Sequence, residues 1–382
     1  MILPDSKLPA VGTTIFTVMS RLATETGAIN LGQGFPDFQP PARLCELVAE
    51  HLAAGHNQYA PMAGLPALCE AITGQLCRRH RLAVDGTREV TVTAGATEAL
   101  FAAIHAVVRP GDEVVLLDPA YDSYGPAAEL AGARVRRVPL RLPDFSVDYE
   151  RLGTAIGERT RLLVVNTPHN PSGAVLGAGD WDRIADLIER CHALVLSDEV
   201  YECLVYDGIR HSSVLSNARL RDRAFAVFSF GKVYHATGWK VGYCVAAPEL
   251  TEEFRKVHQF LTFSVSTPIQ HAIADFMRET PGFQDGLAAF YQARRDRFAA
   301  LLANSRFRLR PTAGTYFQLA DYAAISALPD TEFCKELTRS HGVAAIPLSP
   351  FYARAPEARL VRFCFAKEDA TLERAAQRLC AV

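Results

Sequence analysis

From about residue 42 onward the chain alternates two patterns of apolar and polar positions. In "GLPALCEAITGQLCRRH", Leu65, Leu68, Ile72 and Leu76 recur every three or four residues with charges between them, which puts one apolar stripe on a helix. The stretches that follow read as strand "EVTVTAG", helix "TEALFAAIHAVV", and strands "DEVVLLDPAY" and "RLLVVNTPHN". Helix "DWDRIADLIERC" comes next, then strands "ALVLSDEVY" and "AFAVFSFGK", and "WKVGYCVAAP" offers one more strand. These strands are continuous Val, Leu, Ile and Phe runs without strict alternation, as strands covered on both faces require. They predict an α/β fold with a mostly parallel sheet between layers of helices.

Past residue 285 the texture changes. A charged helix, "FYQARRDRFAALLAN", leads into the shorter strands "TYFQLADY", "GVAAIPLS" and "RLVRFCFA" and a closing helix. At 382 residues the chain exceeds what one core usually serves. The expected division is an N-terminal arm with part of a small domain (1–40), a large domain (41–285) and a smaller α+β domain (286–382).

Composition narrows the function classes. The 40 basic and 42 acidic residues nearly cancel, so no whole-chain field draws the protein to nucleic acid or an anionic membrane, and a small-molecule partner is expected. No stretch of about 18 uncharged apolar residues occurs and the N-terminus lacks a leader pattern, so a cytoplasmic location is expected. The nine cysteines are odd in number and never spaced C-x-x-C, which argues for buried thiols rather than disulfides or a metal site.

Each strand of the large domain ends in polar or Gly-rich residues: Gly95 to Thr97, Asp118 to Tyr121, Asn166 to Asn170, Ser197 to Tyr201, and Ser229 to Lys232. Ligands of open α/β sheets bind outside such strand ends. Gly95-Ala96-Thr97 opens a helix, where it is either an anion site or an ordinary cap. Asp198 ends a buried run and needs a cationic partner. Tyr121 offers a face for stacking or plain packing, and Arg362 alternates with apolar residues on a strand, facing either a cleft or solvent.

Lys232 and Lys240, in "SFGKVYHATGWK", stand out because two lysines close a buried strand. A lysine deprotonated by burial or by a neighbouring cation is a nucleophile able to form a Schiff base, and Lys240 is either that neighbour or a phosphate anchor. The acyl-transfer reading of Ser229 to Lys232 fails for want of its companion motifs, and "GQG" at Gly32 to Gly34 is no dinucleotide fingerprint.

These residues sit in stretches that resemble the fold-type-I, pyridoxal-phosphate-dependent class I and II aminotransferases. The resemblance runs in order through "NLGQGFPDF", "NQYAPMAGLPALCEAI", "TAGATEAL", "DPAYDSY", "NTPHNPSG", "SDEVY", "SFGKVYHATGWKVG" and "RFCFAK", nearly the whole chain. "NLGQGFPDF", "TGWKVG" and the "IPLS" segment are most similar to the branch holding methionine aminotransferases and the kynurenine and glutamine transaminases.

The resemblance implies a mostly parallel seven-stranded sheet, pyridoxal 5'-phosphate as cofactor, and a homodimer with shared active sites. It makes Lys232 the lysine that carries the cofactor, and Asp198 the partner of the pyridine nitrogen. Tyr201 and Asn170 would bond the ring oxygen and Tyr121 would stack on the ring. Gly95, Ala96, Thr97, Ser229 and Lys240 would hold the phosphate, with Tyr59 reaching it from the other subunit. Gly34, Asn170 and Arg362 would receive the substrate carboxylate, while Phe16, Tyr316 and Phe351 would line the side-chain pocket.

Where the aspartate aminotransferase branch has an arginine on the phosphate, this chain has Lys240, and no counterpart of that branch's second, side-chain arginine is evident. The expected activity is transfer of the amino group of a neutral, apolar or aromatic amino acid, methionine first, to a 2-oxo acid by a ping-pong route. Cysteine-conjugate C–S β-lysis is an alternative on the same machinery. A non-catalytic cofactor-binding regulator is an alternative of another class, disfavoured because the arm begins at residue 1 with no DNA-binding domain before it.

Overall fold

The computed structural model describes residues 5–382; residues 1–4 of the expected arm lie outside the described part. Thirteen strands form three sheets among the described residues. A short pair joins β1 (Ile29–Asn30) to β11 (Val343–Ala344) in parallel. The central sheet holds β2 (Val90–Thr93), β3 (Glu113–Asp118), β4 (Arg134–Pro139), β5 (Thr160–Asn166), β6 (Leu194–Asp198), β7 (Ala224–Ser229) and β8 (Gly242–Ala246). The third sheet is antiparallel and holds β9 (Arg308–Leu309), β10 (Phe317–Asp321), β12 (Ile346–Pro347) and β13 (Leu360–Cys364).

The central order is β2-β8-β7-β6-β5-β3-β4, so the mostly parallel seven-stranded α/β sheet is borne out. β8 is the one member that runs antiparallel, to β2 on one side and β7 on the other. β2, β3 and β8 are buried along their whole length, which is why their apolar runs show no alternation. β4 escaped the sequence reading because "RVRRVP" carries three arginines. As an edge strand it turns alternate residues to solvent, and Arg136 and Arg137 pair with Glu113 and Asp118 of β3.

Register positions the site. Asn166, at the end of β5, lies beside Asp198 at the end of β6. At the other side of the sheet Gly242, where β8 begins, lies opposite both Ser229 of β7 and Thr93 of β2. The antiparallel strand therefore delivers the segment before it, with Lys240, to the carboxyl ends of β2 and β7. The junction is tight: a side-chain carbon at Gly242 would sit 2.5 Å from the Phe228 carbonyl oxygen and 3.0 Å from the Ala96 nitrogen.

Helices begin and end near the expected places, at Pro66–His80, Ala96–Val107, Ala178–Ile188 and Leu287–Leu301. The third stops at Ile188, short of the expected Cys191.

Candidate active site

A cavity of about 290 Å³ opens where the strand ends of the central sheet meet the antiparallel sheet. Its wall includes Gly95, Ala96, Thr97, Tyr121, Asn170, Asp198, Tyr201, Ser229, Lys232 and Lys240 from the central sheet's side. Gly34, Phe16 and Arg362 come from the N-terminal segment and β13. Thirteen of the residues singled out in the sequence thus share one cavity, although they span most of the chain.

Lys232 sits on the single helical turn Phe230–Val233 that follows β7. Its Nζ donates to the Gly34 carbonyl oxygen at 3.2 Å and stands 5.7 and 5.6 Å from the ring centres of Tyr201 and Tyr316. Enclosure in this wall, helped by the positive charges of Arg362 and Lys240, pushes the ammonium down to about 8, against opposing pulls from Cys364 and Asp198. A substantial fraction of Nζ is therefore neutral near physiological pH, as a nucleophile or proton carrier requires.

Lys240 adopts a left-handed backbone (φ 55°) and is exposed. Its side chain crosses Gly95: a carbon added there would meet Lys240 Cε and Nζ at 3.3 Å, and Gly95 itself has φ 77°. The helix Ala96–Val107 starts at this point with no side chain capping it, so Thr97 is not the ordinary cap that the sequence left open. Uncapped N–H groups, a helix dipole and a lysine amine together make an anion cradle.

Asp198 is buried in the wall of the same cavity. Tyr124 donates its hydroxyl to Asp198 Oδ2 at 2.5 Å, and the Val200 N–H donates to Oδ1 at 3.3 Å. Burial lifts the carboxyl to about 6, while Tyr124, the Val200 N–H and Lys232 act the other way, so it is an anion at neutral pH. Asn166 ties the corner: its Nδ2 donates to the Asp198 carbonyl oxygen at 2.8 Å, and its Oδ1 accepts from the Asn170 N–H at 2.7 Å.

Among the described residues Arg362 is a buried cation without a carboxylate partner. Its Nη1 donates to Asn170 Oδ1 and its Nη2 to the Gly32 carbonyl oxygen, both at 2.8 Å, and its Nε has no partner. The guanidinium lies 3.9 Å from the Phe317 ring centre. Burial lowers its proton affinity, yet a guanidinium stays charged. A fork held in this way, with a donor unused, suits an incoming carboxylate. Gly34 leaves room beside it, since a side-chain carbon there would stand 2.9 Å from Phe317 Cζ.

Three expected residues lie off the cavity wall. Tyr316 is buried behind it and donates its hydroxyl to the Gly34 carbonyl oxygen at 2.6 Å. Phe351 packs on Phe16 with ring centres 5.6 Å apart, and its carbonyl oxygen accepts from the Ala120 N–H, which ties it to the Tyr121 loop. Tyr59 is 82% exposed, edge-on to Phe263. The sequence reading passed over Tyr124 and Phe317, and named Asn166 and Gly32 only within a strand end and "GQG", without a role. Tyr124 carried a usable signal, because it follows Tyr121 by three residues, one helical turn, within "DPAYDSY".

An anion cradle, a buried carboxylate and an amine sharing one cavity fit a ring compound that bears a phosphate and a protonated nitrogen. Pyridoxal phosphate has both.

Comparison with known proteins agrees. The family model for aminotransferase class I and II matches residues 26–379. The chain is 52% identical to the methionine aminotransferase of Escherichia coli over 378 residues, covering 99% of this chain and 98% of the relative. It is 40% identical to a probable N-succinyldiaminopimelate aminotransferase of Mycobacterium tuberculosis (98% and 97% covered). It is 34% identical to mouse kynurenine–oxoglutarate transaminase 1 (94% and 93% covered). The solved structure of YbdL from Escherichia coli, described as having a methionine aminotransferase function, superposes with a TM-score of 0.98 at 52% identity, with both chains fully covered.

Proposed function

This chain belongs to the aminotransferase class I and II family and is a pyridoxal-phosphate-dependent transaminase acting on amino acids and 2-oxo acids; from that premise we propose that its amino donors carry neutral side chains, with methionine the first candidate. The observation that carries this reading is the charge inventory of the cavity. Among its lining residues the cations are Lys232, Lys240 and Arg362. With the first at the reacting centre, the second in the anion cradle and the third reserved for the substrate's α-carboxylate, none of the three remains for a side-chain carboxylate. The 52% identity to a methionine aminotransferase supports the same choice.

Each residue then has a task. Gly95, Ala96, Thr97, Ser229 and Lys240 hold the phosphate, Tyr121 packs on the ring, and Asn170 and Tyr201 bond its oxygen. When bound, pyridoxal phosphate supplies an aldehyde that takes and returns amino groups and a ring that draws electron density from the substrate's Cα. Asp198 stays anionic and keeps a positive ring nitrogen in place. Arg362 grips the α-carboxylate with its fork, aided by Asn170 and the space at Gly34, and so fixes which Cα bond faces Lys232. The Lys232 amine, neutral in a useful fraction, accepts the Cα proton at Nζ and returns it from there. The donor leaves as its oxo acid before the acceptor enters the same site, which gives ping-pong kinetics. Phe16, Tyr316 and Phe351 shape the space for an apolar side chain.

The proposal includes a division into arm with part of the small domain (1–40), large domain (41–285) and small domain (286–382). The pairing of β1 with β11 supports joining the arm to the small domain. It also includes a homodimer. Tyr59, 82% accessible, packs edge-on to the exposed Phe263, and a second copy covering this pair would let Tyr59 reach its partner's phosphate cradle. A cytoplasmic location completes the reading; among the described residues no helix is long and apolar enough to cross a membrane.

The deciding experiment is a donor panel with one oxo acid acceptor. Methionine and aromatic or other neutral amino acids should transaminate with kcat/KM well above that of aspartate or glutamate. A preference for aspartate overturns the substrate reading, and pyruvate with ammonia from a cysteine conjugate, without transamination, overturns the reaction.

A further inference from the structure

Among the described residues one group of three histidines brings its ring nitrogens together, and none of the three lines the active-site cavity. His51 lies in the last turn of the helix Ala42–Ala53, His56 follows that helix, and His271 lies in the helix Thr267–Glu279 packed against it. One nitrogen from each falls within 4.8 Å of the other two.

The cluster is anchored. His51 Nδ1 and His56 Nδ1 stand 2.8 Å apart, and His51 Nε2 meets Asp275 Oδ2 at 3.0 Å. Gly55, in the left-handed region at φ 86°, turns the chain back so that the His56 N–H donates to the His51 carbonyl oxygen at 3.1 Å. The His271 ring centre lies 4.1 Å from that of His56 and 5.0 Å from that of His51, and all three side chains are half-buried. Asp275 is one turn along from His271 and is also paired with Arg278.

Two Nδ1 atoms facing each other at this distance share one proton, because both cannot donate. A divalent cation in place of that proton lets both Nδ1 lone pairs be used, with the His271 ring close enough to add a third. Asp275 on the outer nitrogen of His51 sets the tautomer that turns the Nδ1 lone pair inward, the carboxylate–histidine arrangement that supports many metal sites. Widening the Nδ1–Nδ1 separation to about 3.3 Å yields one edge of a tetrahedron with nitrogen–metal bonds of about 2.0–2.1 Å.

We propose that His51, His56 and His271 form a binding site for a borderline divalent transition-metal ion, zinc foremost, with Asp275 orienting His51 and water completing the coordination. On binding, the proton held between the two Nδ1 atoms is re-placed through solvent on His56 Nε2, so both imidazoles stay neutral with their Nδ1 lone pairs on the metal. Sequence spacing gave no warning, because the ligands come from two segments far apart in the chain.

The test uses tag-free, cofactor-loaded enzyme, stripped with a chelator and titrated with Zn²⁺ by calorimetry and with Co²⁺ by visible absorption. A single ion should bind per chain, and cobalt should show ligand-field bands without thiolate charge transfer. The double variant His56→Asn/His271→Gln should lose this ion while keeping its circular dichroism and transaminase activity. Asp275→Asn should weaken zinc binding by about 10–100-fold. Absence of saturable binding in the unaltered enzyme, binding undiminished in the folded double variant, or a thiolate-dominated cobalt spectrum overturns the proposal.

Discussion

The Tyr124 hydroxyl donates to Asp198 Oδ2 at 2.5 Å inside the protein, where neither group meets water freely. Burial alone would favour the protonated acid at Asp198, and this bond opposes it most strongly. Tyr124→Phe should therefore raise the carboxyl above about 6 and move the acidic limb of the kcat/KM profile upward. A hydrogen bond to a charged group is worth about 1.5–3 kcal/mol, or about one to two pH units. An unmoved acidic limb would show that Tyr124 only packs.

Arg362 reaches both Asn170 and the Gly32 carbonyl from one buried strand position. Arg362→Lys keeps the charge but cannot copy the fork, so KM for methionine should rise about 10–100-fold, in line with the loss of a charge-assisted bond of about 1.5–3 kcal/mol. Steady-state kinetics checks this, and an unchanged KM contradicts the carboxylate role.

A side chain at Gly95 is strained by the backbone φ of 77° and crowds the Lys240 side chain, which lies 3.3 Å from the site of an added carbon. Gly95→Ala should cost about 1–3 kcal/mol in strain at the cradle. Equilibrium titration should show pyridoxal phosphate bound more weakly, with the circular dichroism spectrum retained.

The enclosed Lys232 makes the cofactor-free protein respond to pH. Its folded value of about 8 lies below the ordinary 10.5, so between these values the unfolded chain binds more protons and stability rises with pH. Below about 8 the cost of enclosing the charge is fully present. Denaturation of the cofactor-free protein across this window should show the rise, and Lys232→Met should abolish it. Uptake of added pyridoxal phosphate should likewise quicken up to about pH 8 and then level off.

The sheet was legible in the sequence because its buried strands carry unbroken apolar runs, and the edge strand β4 was not, because "RVRRVP" spends two of its three arginines, Arg136 and Arg137, on Glu113 and Asp118. The site was legible where polar residues end apolar runs, as at Asp198 and Lys232. The role of Asn166, named only as part of a strand end, and Tyr124 altogether were missed for a different reason: they act on Asp198 across strands or from a neighbouring helix, and no local pattern marks a hydrogen bond made at that separation. The meeting of Lys240 with Gly95 depends on β8 running against its neighbours, a topological fact that residue spacing does not encode.

The central claim is that the two lysines divide the work, Lys232 carrying the cofactor and Lys240 standing at the phosphate. Borohydride reduction of the cofactor-loaded enzyme, followed by peptide mass spectrometry, reads this directly. The pyridoxyl group should be found on Lys232 alone, with Lys240 unmodified; a label on Lys240, or full labelling of a Lys232→Ala variant, would contradict it.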